Sequence, residues 1–416
     1  MLKYFTKIVF FLCLYSATAQ VQTEVVPPYN IKTISFVEND INVTPIFELG
    51  SDFKIQFDDL FGNEANYNYV IIHCDYNWIP SDIPKTEYLQ GFDNQRIQKY
   101  TNSVNTLQLY SHYELSIPNQ NTRLKISGNY IIQVLNEDRE IVFSRKLMIY
   151  ENLSTVPTQI KRSRDISTID YMQNVDFAIA SQALTFEQPL QNVKVVLIQN
   201  GNFNTVLKNI RPQYTIGNEL IYKYNKETQF WAGNEYLYFE NKEIRVANNN
   251  ISRIGFDNEI YKAYLYTNEA RGNNLYSNYQ DVNGNFVVKN FNAVNSSIEA
   301  DYAWVYFSLS APSFQINKDI YITGMFNNYI LSAENKMDYD AKKGLYEKAI
   351  LIKQGFTNYQ YQVANAKGII DTENAVDGNF YQTENEYTVL VYYKANNDRY
   401  QRIIGKGSAN SLNIIN

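Results

Sequence analysis

The sequence predicts an all-β protein made of tandem immunoglobulin-like or E-set β-sandwiches. Three observations carry that expectation. Short segments alternate apolar and polar residues with the period of two that a half-buried strand needs, as in Ile31-Lys32-Thr33-Ile34-Ser35-Phe36. Tyr and Phe are abundant, 36 and 23 of 416 residues, and both suit a pleated surface. Asn is frequent too, with Asn200-Gly201 and Asn283-Gly284 marking tight turns between segments.

Residues 1–19 read as a secretory signal peptide. Lys3 and Lys7 form its basic end, Ile8 to Tyr15 its apolar core, and Ala17-Thr18-Ala19 its cleavage site. That apolar run is too short to span a bilayer, and no later run is long enough. Removing Lys3 and Lys7 takes the formal charge from −6 to −8. Such a balance disfavours nucleic acid as a partner, because phosphates call for a basic face. Cys74 becomes the single cysteine of the mature chain and cannot form an internal disulfide.

A first sandwich is expected over 20–152. Its strands are Ile31 to Phe36, Phe47 to Phe57, Tyr67 to Tyr76 and Tyr113 to Ile117. Asn129 to Leu135 and Glu140 to Tyr150 then pair across the turn Asn136-Glu137-Asp138-Arg139. From 75 to 113 the strand pattern lapses into a long ordered loop with Trp78, Pro80, Pro84, Tyr88, Phe92, Tyr100 and Tyr110. Loops of this length are usually functional. The expected partner-binding residues there are Trp78, Phe92, Asn94, Arg96 and Tyr113.

A second sandwich is expected over 153–297, with strands at Val193 to Gln199, Glu219 to Tyr224, Glu235 to Phe239 and Tyr261 to Thr267. Its basic cluster, Lys161-Arg162-Ser163-Arg164, reads as a solvated edge. A third is expected over 298–405, with Trp304 as a core anchor in the strand Tyr302 to Leu309. Residues 406–416 read as a flexible tail. Trp231, between strands, is expected to pack over a loop.

The chain carries no G-x-S-x-G, H-E-x-x-H, C-x-x-C or phosphate-binding glycine loop. His73, His112 and Cys74 are too few for a zinc site. The sharpest catalytic arrangement is Cys74 with His112 and Asp75. Cys74, however, shares a strand face with Val70 and Ile72 and reads as a small buried hydrophobe, with His73 and Asp75 pointing away. Asp58-Asp59 and Asp338-Tyr339-Asp340 read as solvated loop carboxylates, with sequence neighbours on opposite faces. The expectation is no catalytic residue, no metal and no cofactor.

Gly324-Met325-Phe326-Asn327-Asn328-Tyr329 resembles the turn of glycogen- and starch-binding modules, which carry Trp where Tyr329 stands. That resemblance implies a sandwich and, as an alternative function, periplasmic glycan binding through Asn327 and Tyr329.

A broader resemblance covers the mature chain. It runs through His73-Cys74-Asp75-Tyr76-Asn77-Trp78, Gly91-Phe92-Asp93-Asn94-Gln95-Arg96-Ile97, Pro212-Gln213-Tyr214-Thr215-Ile216-Gly217-Asn218-Glu219-Leu220, Phe230-Trp231-Ala232-Gly233-Asn234-Glu235 and Asn379-Phe380-Tyr381-Gln382-Thr383-Glu384-Asn385. These strings resemble the type IX secretion system plug protein family. The resemblance implies a non-enzymatic protein of the periplasm. It would dock on the periplasmic mouth of the giant outer-membrane β-barrel translocon and occlude its pore when no substrate passes.

Overall fold

The computed structural model describes residues 21–279, 281–312, 318–412 and 414. The expected signal peptide lies outside them. The described chain folds as three packed β-sandwiches.

The first sandwich sets one sheet, in the order Ile41–Asn42, Ile31–Glu38, Phe53–Asp59, Ser111–Ile117, Lys99–Asn102, against another. The second sheet runs Ile46–Glu48, Ile141–Tyr150, Gly128–Leu135, Asn68–Cys74, Gln95–Arg96. Alternate residues of both sheets, including Ile55, Phe57, Tyr69, Ile71, Tyr113 and Ile132, meet in one core. The hairpin at Asn136 is present, with Leu135 opposite Ile141. The expected long loop is ordered by three short ladders. Leu89–Gly91 pairs with Thr122–Leu124, Gln95–Arg96 with Asn68 and Tyr69, and Lys99–Asn102 with Ser111–Glu114.

The other two sandwiches divide the chain differently from 153–297 and 298–405. In the second, Thr158–Arg162, Met172–Ala180, Glu219–Tyr222 and Tyr214–Ile216 form one sheet. The facing sheet takes Val193–Gln199 from the same region but Glu386–Tyr393 and Arg402–Asn410 from the end of the chain. Their shared core joins Val175, Val195 and Phe230 to Tyr387, Val389 and Ile404. The third sandwich is therefore an insertion within the second, with a core running from Phe239 to Val376. The reason is register: Val193 to Gln199 pairs antiparallel with Tyr393 to Tyr387, and local alternation cannot report a partner that remote. The expected tail at 406–416, of which 413, 415 and 416 lie outside the described residues, is corrected over 406–411. Residues 406–410 belong to a strand, and buried Ser411 donates to the Thr383 carbonyl at 2.8 Å.

The sandwiches lock together through faces that isolated domains would expose. Ile46, Cys74, Tyr76, Trp78, Ile131 and Met148 of the first pack on Val196, Ile198, Leu390, Tyr392 and Ile403 of the second. Tyr76 and Tyr392 cross this seam, donating to the Val195 carbonyl (3.0 Å) and the Asn129 side chain (2.7 Å). Burial on this scale is worth about 1.5–3 kcal/mol for each large apolar side chain. A smaller seam sets Leu60 and Tyr110 of the first against Tyr302 and Leu351 of the third. Trp304, expected as a core anchor, lies half-buried at the margin of that seam, because its strand turns Val305 and Phe307 into the core instead.

Candidate functional site

The turn after the strand Asn68–Cys74 is built by Asp75. Its Oδ1 accepts from the backbone of Asn77 (2.8 Å) and Ile79 (2.9 Å), which holds Trp78 at a φ of 65°. Trp78 is only 8% exposed, set in the seam with the Lys146 ammonium 4.7 Å from its ring. It fastens the first sandwich to the second and is not available to a partner, contrary to expectation. Tyr113 is corrected likewise. It faces inward, stacks on Phe57 at 5.0 Å and donates to the Ala65 carbonyl.

Phe92, Asn94 and Arg96 are exposed together on one ridge. Gly91 has a φ of 88°, and a side chain there would strike the Asn121 carbonyl, so glycine lets the ridge approach that loop closely. The backbone amides of Phe92 and Asn94 donate to Asn121 and Tyr69, both at 2.7 Å. Asp93 turns inward, taking the Ile71 amide (2.8 Å) and the Lys85 ammonium (2.7 Å). The ridge is pinned by its backbone while Phe92 stands 74% exposed.

The sugar-binding expectation at Asn327 and Tyr329 meets a contrary geometry. Tyr329 is 2% exposed, its hydroxyl 3.3 Å from both the Tyr236 hydroxyl and the Asn200 carbonyl. A ring buried against a neighbouring sandwich offers no face to a sugar. Asn327 spends its amide on the turn, donating to the Ile322 carbonyl and accepting from the Gly324 amide.

No reactive set assembles around Cys74. Burial, aided by Asp75, pushes its thiol up to about 12. His73 is buried, which pulls it down to about 4, and its Nδ1 lies 2.7 Å from the Ser81 hydroxyl. His112 turns its Nδ1 to Asp58 at 2.6 Å. Cys74 is buried, as expected, but under the second sandwich rather than within a core of its own. Among the described residues no cluster of His, Cys, Asp and Glu could hold a metal ion.

Asp58 and Asp59, expected in solvent, are both fully buried. Asp59 accepts from Asn30 and Tyr67 inside the first sandwich. Asp58 points out of it and meets Lys353 and Tyr302 of the third, each at 2.6 Å. Burial alone would raise the Asp58 carboxyl, but the Lys353 charge and the His112 hydrogen bond outweigh it and hold it below the usual range. Strand alternation separated the two aspartates correctly. It carried no signal that a second domain covers the outer one. The basic cluster does sit on an edge strand, where Lys161 pairs with Asp176.

The fold defines an all-β protein of tandem, packed sandwiches. The first sandwich matches the family model described as "Type 9 secretion system plug protein 1st domain" over residues 31–151. The whole chain is similar to the crystal structure of a hypothetical protein from Parabacteroides merdae. The two are 31% identical with a TM-score of 0.88, over 93% of this chain and 98% of that one. No curated protein matches. The chain belongs to the type IX secretion system plug protein family. That membership points to a non-enzymatic role in association with the secretion system. No described helix is long and apolar enough to cross a membrane.

Proposed function

We propose that this protein is a periplasmic plug that docks on the periplasmic mouth of the outer-membrane translocon barrel and closes its pore when no substrate passes. The family match over the first sandwich carries the reading. The interlocked sandwiches suit that role, because two buried apolar seams hold the three together. Docking uses the exposed ridge of Phe92, Asn94 and Arg96. An aromatic and an arginine on pinned backbone are the residue types that dominate reversible interfaces. Release requires that cargo, or its carrier, favour the unplugged state.

The test is recovery of the barrel from detergent-solubilised outer membranes by tagged protein. The native chain should recover it. A chain carrying Phe92→Ala, Asn94→Ala and Arg96→Ala should recover markedly less while remaining folded. Full recovery by that variant removes the ridge from the interface. Failure of the native chain to recover any barrel overturns the plug reading itself.

A further inference from the structure

The larger sheet of the inserted third sandwich ends in the strand Ile251–Asp257, which among the described residues pairs only with Ile260–Leu265. A free edge of this kind is a template for another strand, because its N–H and C=O groups stay unpaired, and native proteins usually cover it. Two comparable edges of this molecule are capped. Arg402–Asn410 gives its Ile403 and Ile404 carbonyls to the amides of Glu151 and Leu153. Asp319–Thr323 lies against residues 335–337, with the Ile322 amide donating to the Asn335 carbonyl at 3.0 Å.

The hairpin fixes which groups the free edge presents. Asn258 and Glu259 have φ of 51° and 60°, both positive as in a type I′ turn, so Asp257 and Ile260 form a hydrogen-bonded pair. Alternation then points the backbone of Gly255 and Arg253 at the paired strand and that of Ile254 and Phe256 at the open edge. Outside that ladder neither Ile254 nor Phe256 makes a hydrogen bond to a described residue. The irregular step of the strand falls between Ile251 and Arg253, so Arg253 to Asp257 keep an even register.

We infer that this edge takes up an extended polypeptide segment of alternating acidic and apolar residues, added as a further strand. Arg253 argues for the acid. It is exposed on the outer face, its guanidinium 3.5 Å from the Tyr264 ring, and it makes no ion pair among the described residues. Beside it a groove of ≈ 1240 Å³ opens over Tyr264 and Tyr306, whose rings stack at 4.4 Å. In that groove Lys343 and Lys348 spend their charges on Glu347 and Asp338, whereas Lys342 makes no ion pair among the described residues. The unspent charge is positive and selects a carboxylate. Gly255, next on the same face, adds no side chain and leaves room for one from the partner. On the opposite face Ile254 is half-buried and Phe256 is 59% exposed, which calls for an apolar neighbour. Strand residues alternate between faces, so the two requirements alternate along the partner. A sugar would leave the backbone groups of Ile254 and Phe256 without the ladder they are arranged to form. This edge is separate from the Phe92 ridge and does not depend on docking there.

The experiment is amide hydrogen exchange read by mass spectrometry, with calorimetry, on the chain from residue 20 onward. The probe is a capped octapeptide alternating Glu and Val, and its contrast alternates Lys and Val. The Glu peptide should bind at millimolar concentration or below and slow exchange across 251–257. Arg253→Glu should weaken it about tenfold or more, the loss expected for one charge-assisted hydrogen bond. Ile254→Pro removes an N–H that faces the open edge, a place where a strand tolerates proline, so it should keep the fold and abolish binding. If that variant does not fold, Arg253→Glu, on an exposed side chain, still decides. Four outcomes overturn the inference: exchange across 251–257 unchanged by the Glu peptide, equal binding of the Lys peptide, binding that survives in both variants, or slowing that comes with protein concentration alone and marks the edge as a contact between copies of this chain. The plug reading rests on recovery of the barrel and is untouched by any of them.

Discussion

The Asp58 carboxylate and the Lys353 ammonium lie 2.6 Å apart with their side chains 0% and 2% exposed, one from the first sandwich and one from the third. Lys353 also donates to the Ser297 carbonyl at 2.7 Å and sits 4.0 Å from the Tyr110 ring. Burial pulls the ammonium below its ordinary value while Asp58 opposes that shift. Removing one partner strands the other charge in the seam, at about 3–5 kcal/mol. Lys353→Met should therefore lower the denaturation free energy by that amount. The double variant with Asp58→Asn should recover most of it, as urea titration would read. Because the Asp58 carboxyl is held down in the folded state, its stabilisation is present above about pH 4 and fades as pH falls towards the lowered value.

A second pH effect comes from His73. Its folded-state value is about 4, lowered by burial. An unfolded histidine titrates near about 6.5. Between those values the unfolded chain binds the proton and the folded chain does not. Stability should thus fall with pH from about 6.5 to about 4, by about 3 kcal/mol, and then level off with respect to this group. Comparing denaturation midpoints at neutral and mildly acid pH, in the native chain and in His73→Gln, isolates the contribution.

Cys74 should be inert in the folded protein. With its thiol pushed up to about 12 and its side chain under the second sandwich, almost no thiolate forms at pH 8. A chromogenic disulfide reagent should react with Cys74 in denaturant and hardly at all without it. Rapid reaction of the native chain would show that the seam opens.

Trp78 and Phe92 should separate stability from docking. Trp78→Ala should cost about 3–5 kcal/mol, because the ring fills the seam between sandwiches. Phe92→Ala should change stability by no more than about 0.5 kcal/mol, since its ring lies in solvent. Thermal melts of both variants check the pair.

Much of the fold was legible because half-buried strands alternate. Ile31 to Phe36 and Tyr113 to Ile117 lie where their patterns place them. The harder segments are buried on both faces. Val195-Val196-Leu197-Ile198 turns Val195 and Leu197 into its own core and Val196 and Ile198 onto the first sandwich. A near-continuous apolar run of this kind signals burial without naming the layer that covers it. The same limit misplaced Trp78, Tyr113 and Tyr329. An aromatic reads alike whether it faces solvent, core or seam. Of the five residues expected to meet a partner, Phe92, Asn94 and Arg96 are the ones left exposed, and nothing in the sequence told them apart from Trp78 and Tyr113.

The nesting of the third sandwich inside the second has a consequence for the order of events at birth. Val193 cannot meet Tyr393 until the 199 residues between them have emerged. The first sandwich, closed within its opening 150 residues, can be complete while the second is still half a structure with an apolar sheet uncovered. Pairing across so long a separation is slow. Until it is complete, this unfinished middle is the interval in which the uncovered sheet is open to wrong contacts, and the last strand to arrive is the clasp that ends it.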